Sequence, residues 1–398
     1  TSVGALHNCT GIGTAMSDRD FIYVCRPQLP EADDITGYLR TIDARRLYTN
    51  RGPLVNLLEE RLAREMDAPR HCVHTASSGT SALEVAILAH AGLATPERPL
   101  ALIPSFTFAA TGLAIERCGY QAHFVDIDPE TWAVDPTALT RHPRLAEAGL
   151  IVGVAPYGVL PDIAGFEALQ RETGVPVVID AAAAFEQVVT RPAPISDTVP
   201  MTLSFHATKT FSTGEGGAVI WGDRPGQDRV TQVSNFGFFL SRECKVAGTN
   251  AKMSEYHAAI GLAMLDAFDT RKRDYAAVTR AYETAAQGHD LGGRLHLPGR
   301  VSSAYALFEA ETAEGFLAAE AHLLERQVET RRWYEAGQHA QPHFAPAGSD
   351  PLPATESLSA RLLGLPMAHD LSPTDVTYIV ECLSEAAART RPLPVMLD

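Results

Sequence analysis

Long apolar runs are absent from this 398-residue sequence, and no stretch reaches the about 18 consecutive apolar residues that a membrane-spanning helix needs. Cysteine is sparse: Cys9, Cys25, Cys72, Cys118, Cys244 and Cys382 are scattered, with no CxxC pair. That spacing offers neither a disulfide framework nor a metal-ligand set, so reduced thiols and no metal are expected. Internal repeats and low-complexity tracts are also missing. Residues 1–20 lack the basic-then-apolar pattern of a signal peptide, so a flexible arm and a cytoplasmic location are expected. Positive charge is in deficit, with 33 Lys and Arg against 48 Asp and Glu and a net charge of −15. Such a surface repels phosphate backbones and anionic lipid, which argues against nucleic-acid and membrane partners. A single amide-lined or cationic pocket would still hold a phosphorylated ligand.

The residues that are present are 45% hydrophobic, an ordinary globular share, and the length allows two packed domains. Apolar runs at 100–104, 123–126, 150–155 and 175–180 read as buried strands. Helical patterns at 81–91, 109–118 and 163–173 fall between them. This alternation predicts an α/β domain with a mostly parallel sheet, whose ligands collect at the carboxyl ends of the strands. Beyond about residue 265 the texture changes to helices at 263–282, 311–325 and 372–390, with a loop at 348–355. The expected division is an arm over 1–20, a large domain over 21–270 and a smaller α+β domain over 271–398.

Four segments carry residues suited to chemistry. His74-Thr75-Ala76-Ser77-Ser78-Gly79-Thr80 opens a helix, where free N–H groups and the helix dipole favour an anion; an ordinary Ser or Thr cap reads the same way. Asp180 ends an apolar strand, where a carboxylate is costly unless it meets a cation or caps the next helix. Asp126 also ends a strand, but Asp126-Ile127-Asp128-Pro129 reads as a turn. Lys209 lies between an apolar strand and Gly214-Glu215-Gly216-Gly217, without the charged neighbours of a solvated hairpin. A lysine in such a setting can form a Schiff base with an aldehyde. Ser204 sits where its hydroxyl could reach a phosphate. Pro104-Ser105-Phe106-Thr107-Phe108 follows a strand, and an aromatic there can stack on a flat ring or simply fill the core.

The order of these segments is more specific than any one of them. Ser-Gly-Thr-x-Ala-Leu at 78–83, Pro-Ser-Phe-Thr-Phe-x-Ala-Thr at 104–111, Asp-Ala-Ala at 180–182, Ser-Phe-His-x-Thr-Lys at 204–209 and Gly-Glu-Gly-Gly at 214–217 occur in series. Asn235-Phe236-Gly237 and Gly248-Thr249-Asn250 follow, with Thr49-Asn50-Arg51-Gly52-Pro53 upstream. From about residue 22 onward this series resembles the DegT/DnrJ/StrS sugar aminotransferases, which have the fold type I architecture of aspartate aminotransferase. The resemblance implies a pyridoxal 5'-phosphate (PLP) cofactor, bound in the large domain. Lys209 would form the Schiff base and shuttle a proton; Asp180 would pair with the pyridine nitrogen. Gly79, Thr80 and Ser204 would hold the phosphate, Phe108 would stack on the ring, and Asn250 would reach the phosphate in a neighbouring subunit of a homodimer. Arg51 and the basic, aromatic stretch of Arg331, Arg332, Trp333 and Tyr334 fall where the family lines its sugar pocket, although a surface cluster at a helix end reads equally well. The sequence departs from the family at Ala183, where Gln or His is usual. That implies one contact fewer at the cofactor's edge and more room there.

The implied reaction moves an amine from an amino acid, L-glutamate or L-glutamine, to a keto sugar that is nucleotide-linked. A ketocyclitol or another secondary-metabolite ketone is the alternative acceptor. The family's dehydratases carry histidine in place of the lysine, so Lys209 argues against that reaction. Lys209 and Asp180 together argue against a non-catalytic regulatory homologue.

Overall fold

A computed structural model describes residues 20–190, 195–298 and 303–390. The arm expected at the amino terminus therefore lies almost wholly outside the described residues. Among the described residues, eleven strands form two sheets. In chain order they are β1 (Val73–Ala76), β2 (Leu100–Pro104), β3 (Gln121–Val125), β4 (Ala148–Val154), β5 (Val177–Asp180), β6 (Met201–Ser204), β7 (Gly217–Ile220), β8 (Gly293–His296), β9 (Ala306–Ala310), β10 (Gly348–Ser349) and β11 (Leu362–Leu365). The large sheet runs β1-β7-β6-β5-β4-β2-β3-β10, and the small one β11-β9-β8. In the large sheet only β7 runs antiparallel to its neighbours. The expected α/β class with a mostly parallel sheet is what the chain adopts.

Strand periodicity explains why both faces of that sheet are covered. Leu102, Ile151, Val177 and Ile179 point into one apolar cluster, and Ala101, Ile103, Leu150, Val152 and Val178 into another. Successive side chains alternate faces, so near-continuous apolar strands need helices on both sides. The helices Pro53–Glu65 and Ile163–Thr173 cover the first face, and Gly79–His90, Ala109–Arg117 and Arg224–Val233 the second. Several expected elements start or end a few residues from the predicted positions. The pattern at 263–282 resolves into two helices, Glu255–Asp266 and Phe268–Ala285, because the backbone leaves helical geometry at Ala267 (φ −101°, ψ 0°).

The smaller sheet packs with Phe268–Ala285, Ala313–Glu325 and Pro373–Thr390 around a third cluster. The two cores are not divided by one cut in the sequence. Ile22 belongs to the third cluster and bridges to Val328. Conversely, Phe344 and Leu352 pack on the large sheet, and β10 extends its edge beside β3. The predicted loop at 348–355 thus contains a short strand and the start of the helix Pro353–Ser359. Asp126 supplies that helix's cap: its carboxylate accepts from Ala354 N–H (2.8 Å), Thr355 N–H (2.9 Å) and Thr355 Oγ1 (2.8 Å). Asp350, next to β10, accepts from Nε2 of both His123 and His142 at 2.9 Å. Nδ1 of His142 accepts from the Arg144 backbone N–H at 3.2 Å. That assigns the Nε2–H tautomer to His142 and makes this trio a satisfied hydrogen-bond network rather than a ready metal site.

Phe166 is fully buried between its helix and β4, 2.8 Å from where a side chain on Gly153 would begin. Phe166→Ala is expected to cost about 3–5 kcal/mol, read as a lower midpoint in denaturant unfolding.

Candidate active site

The carboxyl ends of β1, β2, β4, β5 and β6 converge, and each delivers a different functional group. β5 delivers Asp180, its last residue and 9% exposed. Thr111 donates to its Oδ2 at 2.7 Å, and the Ala182 N–H to its Oδ1 at 3.1 Å. Burial raises this carboxyl above its ordinary range; the Thr111 and Ala182 hydrogen bonds and the Lys209 charge oppose the rise. Asp180 does not cap the following helix, which begins only at Phe185.

Lys209 sits half-buried in the connection from β6 to β7. That loop is tied across its base: Phe205 N–H donates to Gly216 O, Thr213 N–H to Phe205 O and Ala207 N–H to Gly214 O, each at 2.8–2.9 Å. Gly214 turns the chain with φ +83°. Lys209 Nζ donates to the Tyr305 hydroxyl at 2.8 Å. Tyr305 precedes β9, so the smaller half of the molecule contributes to the lysine's surroundings. Phe106, Tyr157 and Tyr334 form an aromatic wall with Tyr305 and Trp132. Tyr157 and Tyr334 stack with centroids 4.7 Å apart, and burial holds both phenols well above their ordinary range, hence protonated.

The loop after β1 supplies the amide-lined end. Ser78 caps Gly79–His90 in a reciprocal capping box with Ser81. The helix thus starts two residues earlier than expected, and the N–H groups of Gly79 and Thr80 open it. Ser204, at the end of β6, faces Gly79 so closely that a Cβ there would lie 2.6 Å from Ser204 Cβ. A Cβ on Gly217 would lie 2.6 Å from Ser78 O. Only glycine permits both approaches.

The remaining predicted site residues divide. Phe108, 62% exposed at the start of Ala109–Arg117, presents an open aromatic face beside Thr111. Asn250 is exposed and bridges to Asn235. Tyr334 joins the wall beside Lys209. Arg51 is engaged by buried Glu59 at 2.5 Å and by His74. Arg331 pairs with Glu329 at 3.0 Å and lies 5.0 Å from the Trp333 ring. Arg332 pairs with Glu320 and covers Phe316, on the side of Ala313–Glu325. Trp333, against which Arg331 lies, meets the Tyr305 ring edge-on at 5.4 Å, and Tyr305 in turn accepts from Lys209. Sequence reasoning missed the roles of Thr111 and Tyr305. Thr111 was legible, three residues beyond the helix cap at Phe108; Tyr305 carried no local signal.

With this geometry in view, the likeness to known proteins is decisive. The sequence pattern of the DegT/DnrJ/EryC1/StrS aminotransferase family matches residues 31–384. The chain belongs to this family. It is a PLP-dependent aminotransferase. Protein Rv3402c of Mycobacterium tuberculosis is 32% identical over 92% of this chain and 90% of its own length. The dTDP-4-amino-4,6-dideoxy-D-glucose transaminase of Shigella dysenteriae is 28% identical over 92% and 98%. A crystal structure of DesI with its TDP-sugar product superposes with a TM-score of 0.82 at 30% identity, covering 95% of each chain.

The residues present fit the cofactor. A buried, hydrogen-bonded carboxyl suits a protonated ring nitrogen, the glycine-lined helix start beside Ser204 suits a phosphate, and the exposed Phe108 face suits a flat ring. Gly79→Ala is expected to weaken cofactor affinity at least about tenfold by closing on Ser204, and to lower thermal stability as well because the strand ends must part. Titration of the apoprotein with PLP, followed by absorbance, checks this. Thr111→Val removes one hydrogen bond to a buried carboxylate and is expected to weaken the same affinity by about 1.5–3 kcal/mol.

Proposed function

We propose that this aminotransferase transfers the amino group of an amino-acid donor, L-glutamate or L-glutamine, to a nucleotide-linked keto sugar. The placement of Lys209 carries the reading: its Nζ lies 2.8 Å from Tyr305 Oη, against an aromatic wall drawn from both cores. A sugar ring offers C–H faces that pack on aromatic rings, while its carbonyl carbon must reach the amine. Two relatives support the acceptor class, since one is a dTDP-aminosugar transaminase and the other was solved with a TDP-sugar product.

When bound, PLP supplies an aldehyde that condenses with amines and a ring that draws electrons from the substrate carbon. The protein's own groups do the rest. Lys209 would be the amine that holds this aldehyde and, as a free amine, would hold and move the proton at the substrate carbon. Asp180 would pair with the ring nitrogen, with Thr111 holding Asp180 in place by its hydrogen bond. Gly79, Thr80 and Ser204 would hold the phosphate, and Phe108 would pack on the ring.

The enzyme works as a homodimer in this reading. Tyr48 and Tyr256, both nearly half exposed, stack 6.3 Å apart, and Phe236 is also exposed beside the strip that presents Asn250. A second copy would cover these rings, and the family resemblance assigns Asn250 to the neighbour's phosphate. No helix among the described residues is long and apolar enough to cross a membrane.

The test is single turnover of the amine-loaded enzyme against a panel of nucleotide-linked keto sugars, ketocyclitols and simple keto acids. Amination of a nucleotide-linked sugar is expected, and turnover confined to ketones without a nucleotide would refute the acceptor class. Lys209→Ala is expected to slow that turnover by about 10²–10⁴-fold.

A further inference from the structure

The loop after β2 carries Phe106 of the aromatic wall and Phe108 of the ring seat, and it is pinned by a segment 230 residues further along the chain. That segment, Gly337 to His339, lies just beyond Tyr334, and Gly337 N–H donates to Tyr334 O at 2.9 Å. Gln338 is 1% exposed. Its backbone N–H donates to Ser105 O at 2.8 Å, and its side-chain Nε2 donates to Phe108 O at 2.6 Å. His339 adds two contacts: its N–H donates to Ser105 Oγ at 3.1 Å, and its Nδ1 lies 2.7 Å from the same oxygen. Gly337 permits the approach, since it has φ +93° and a Cβ there would lie 2.8 Å from Ser105 Oγ.

The carbonyl that Gln338 grips also accepts the Thr111 N–H at 3.1 Å, and Thr111 Oγ1 donates to Asp180. Ser105 O is shared in the same way, by Gln338 N–H and by Thr107 N–H at 2.9 Å, and Thr107 Oγ1 lies 2.9 Å from Thr111 Oγ1. Two hydrogen-bonded routes thus run from Gln338 to the Asp180 carboxylate, and the first passes through Phe108. The amide comes at a cost. Its Oε1 is buried against Gly112 with no partner among the described residues. An apolar side chain of the same length would fill the space without leaving an oxygen unsatisfied, so packing alone does not account for glutamine here.

We propose that Gln338 is a positioning residue for the cofactor's ring seat. By fixing the carbonyl of Phe108 it sets the tilt of the Phe108 ring and the reach of Thr111 to Asp180. The role rests on the reading of Phe108 and Asp180 as the groups that hold the ring. The coupling is reciprocal: a ring bound against Phe108 tightens the hold of Gln338 on the loop.

Gln338→Met keeps the length of the side chain and removes the donor. Titration of the variant apoprotein with PLP is expected to show affinity weakened about three- to tenfold. The circular dichroism of the bound cofactor, which follows the tilt of its ring, is expected to lose amplitude at saturation. Leu383→Ala, a destabilising change in the third cluster, is the reference. Equal losses in the two variants overturn the proposal, because reduced stability would then account for both. Phe108→Ala separates the role from the reading beneath it. If Phe108→Ala alters the signal and Gln338→Met does not, the positioning role is overturned and the ring seat stands. If neither alters it, the ring seat falls and the role with it. Hydrogen exchange of the unaltered protein needs no variant. The peptide spanning 337–341 is expected to exchange at least about threefold more slowly once PLP is bound. Exchange unchanged by PLP overturns the proposal as well.

Discussion

A carboxylate at the buried end of a parallel strand is unstable unless something cationic meets it, and the site is arranged around that demand. Asp180 stands where β5 ends inside the molecule, hydrogen-bonded on both oxygens and facing the Lys209 charge. The sheet itself imposes the position. Parallel strands covered on both faces are apolar throughout, so a polar group emerges only at the carboxyl ends, where the covering helices have not yet begun. The same edge carries Ser204 and the loop of Lys209, and the same chemistry explains why a ring with a protonated nitrogen suits the gap.

The two cores meet at this edge. Tyr305 and Tyr334 come from the chain beyond the large sheet, yet they stand with Tyr157 and Phe106 beside Lys209. Aromatic rings cover the apolar side of the site while backbone amides line its other end at Gly79 and Thr80. The close contacts of Gly79 with Ser204 and of Gly217 with Ser78 join the ends of β1, β6 and β7 into one rigid cradle. A substituent at either glycine would separate strands whose register is otherwise fixed by Ser204 opposite Gly217.

Much of this was legible because it is local. Apolar runs gave β2 to its last residue, and the small-residue stretch before residue 80 marked a helix start. Lys209 stood out for its missing charged neighbours, and the order of the segments pointed to the family. The parts that were not legible depend on distant partners. Tyr305 meets Lys209 across 96 residues of chain, and Phe344 returns to a sheet left far behind. The arginine-rich stretch is a case of the same kind: composition shows its charge, but that Glu320 and Glu329 engage Arg332 and Arg331 is seen only in the fold.

The central claim is that Lys209 is the amine on which the cofactor is carried. Borohydride reduction of the PLP-loaded protein, followed by peptide mass spectrometry, tests it directly. The account predicts the reduced adduct on the peptide containing Lys209, at that residue. An adduct on Lys252, Lys245 or Lys272 instead, or none on a protein that has bound PLP, would contradict it.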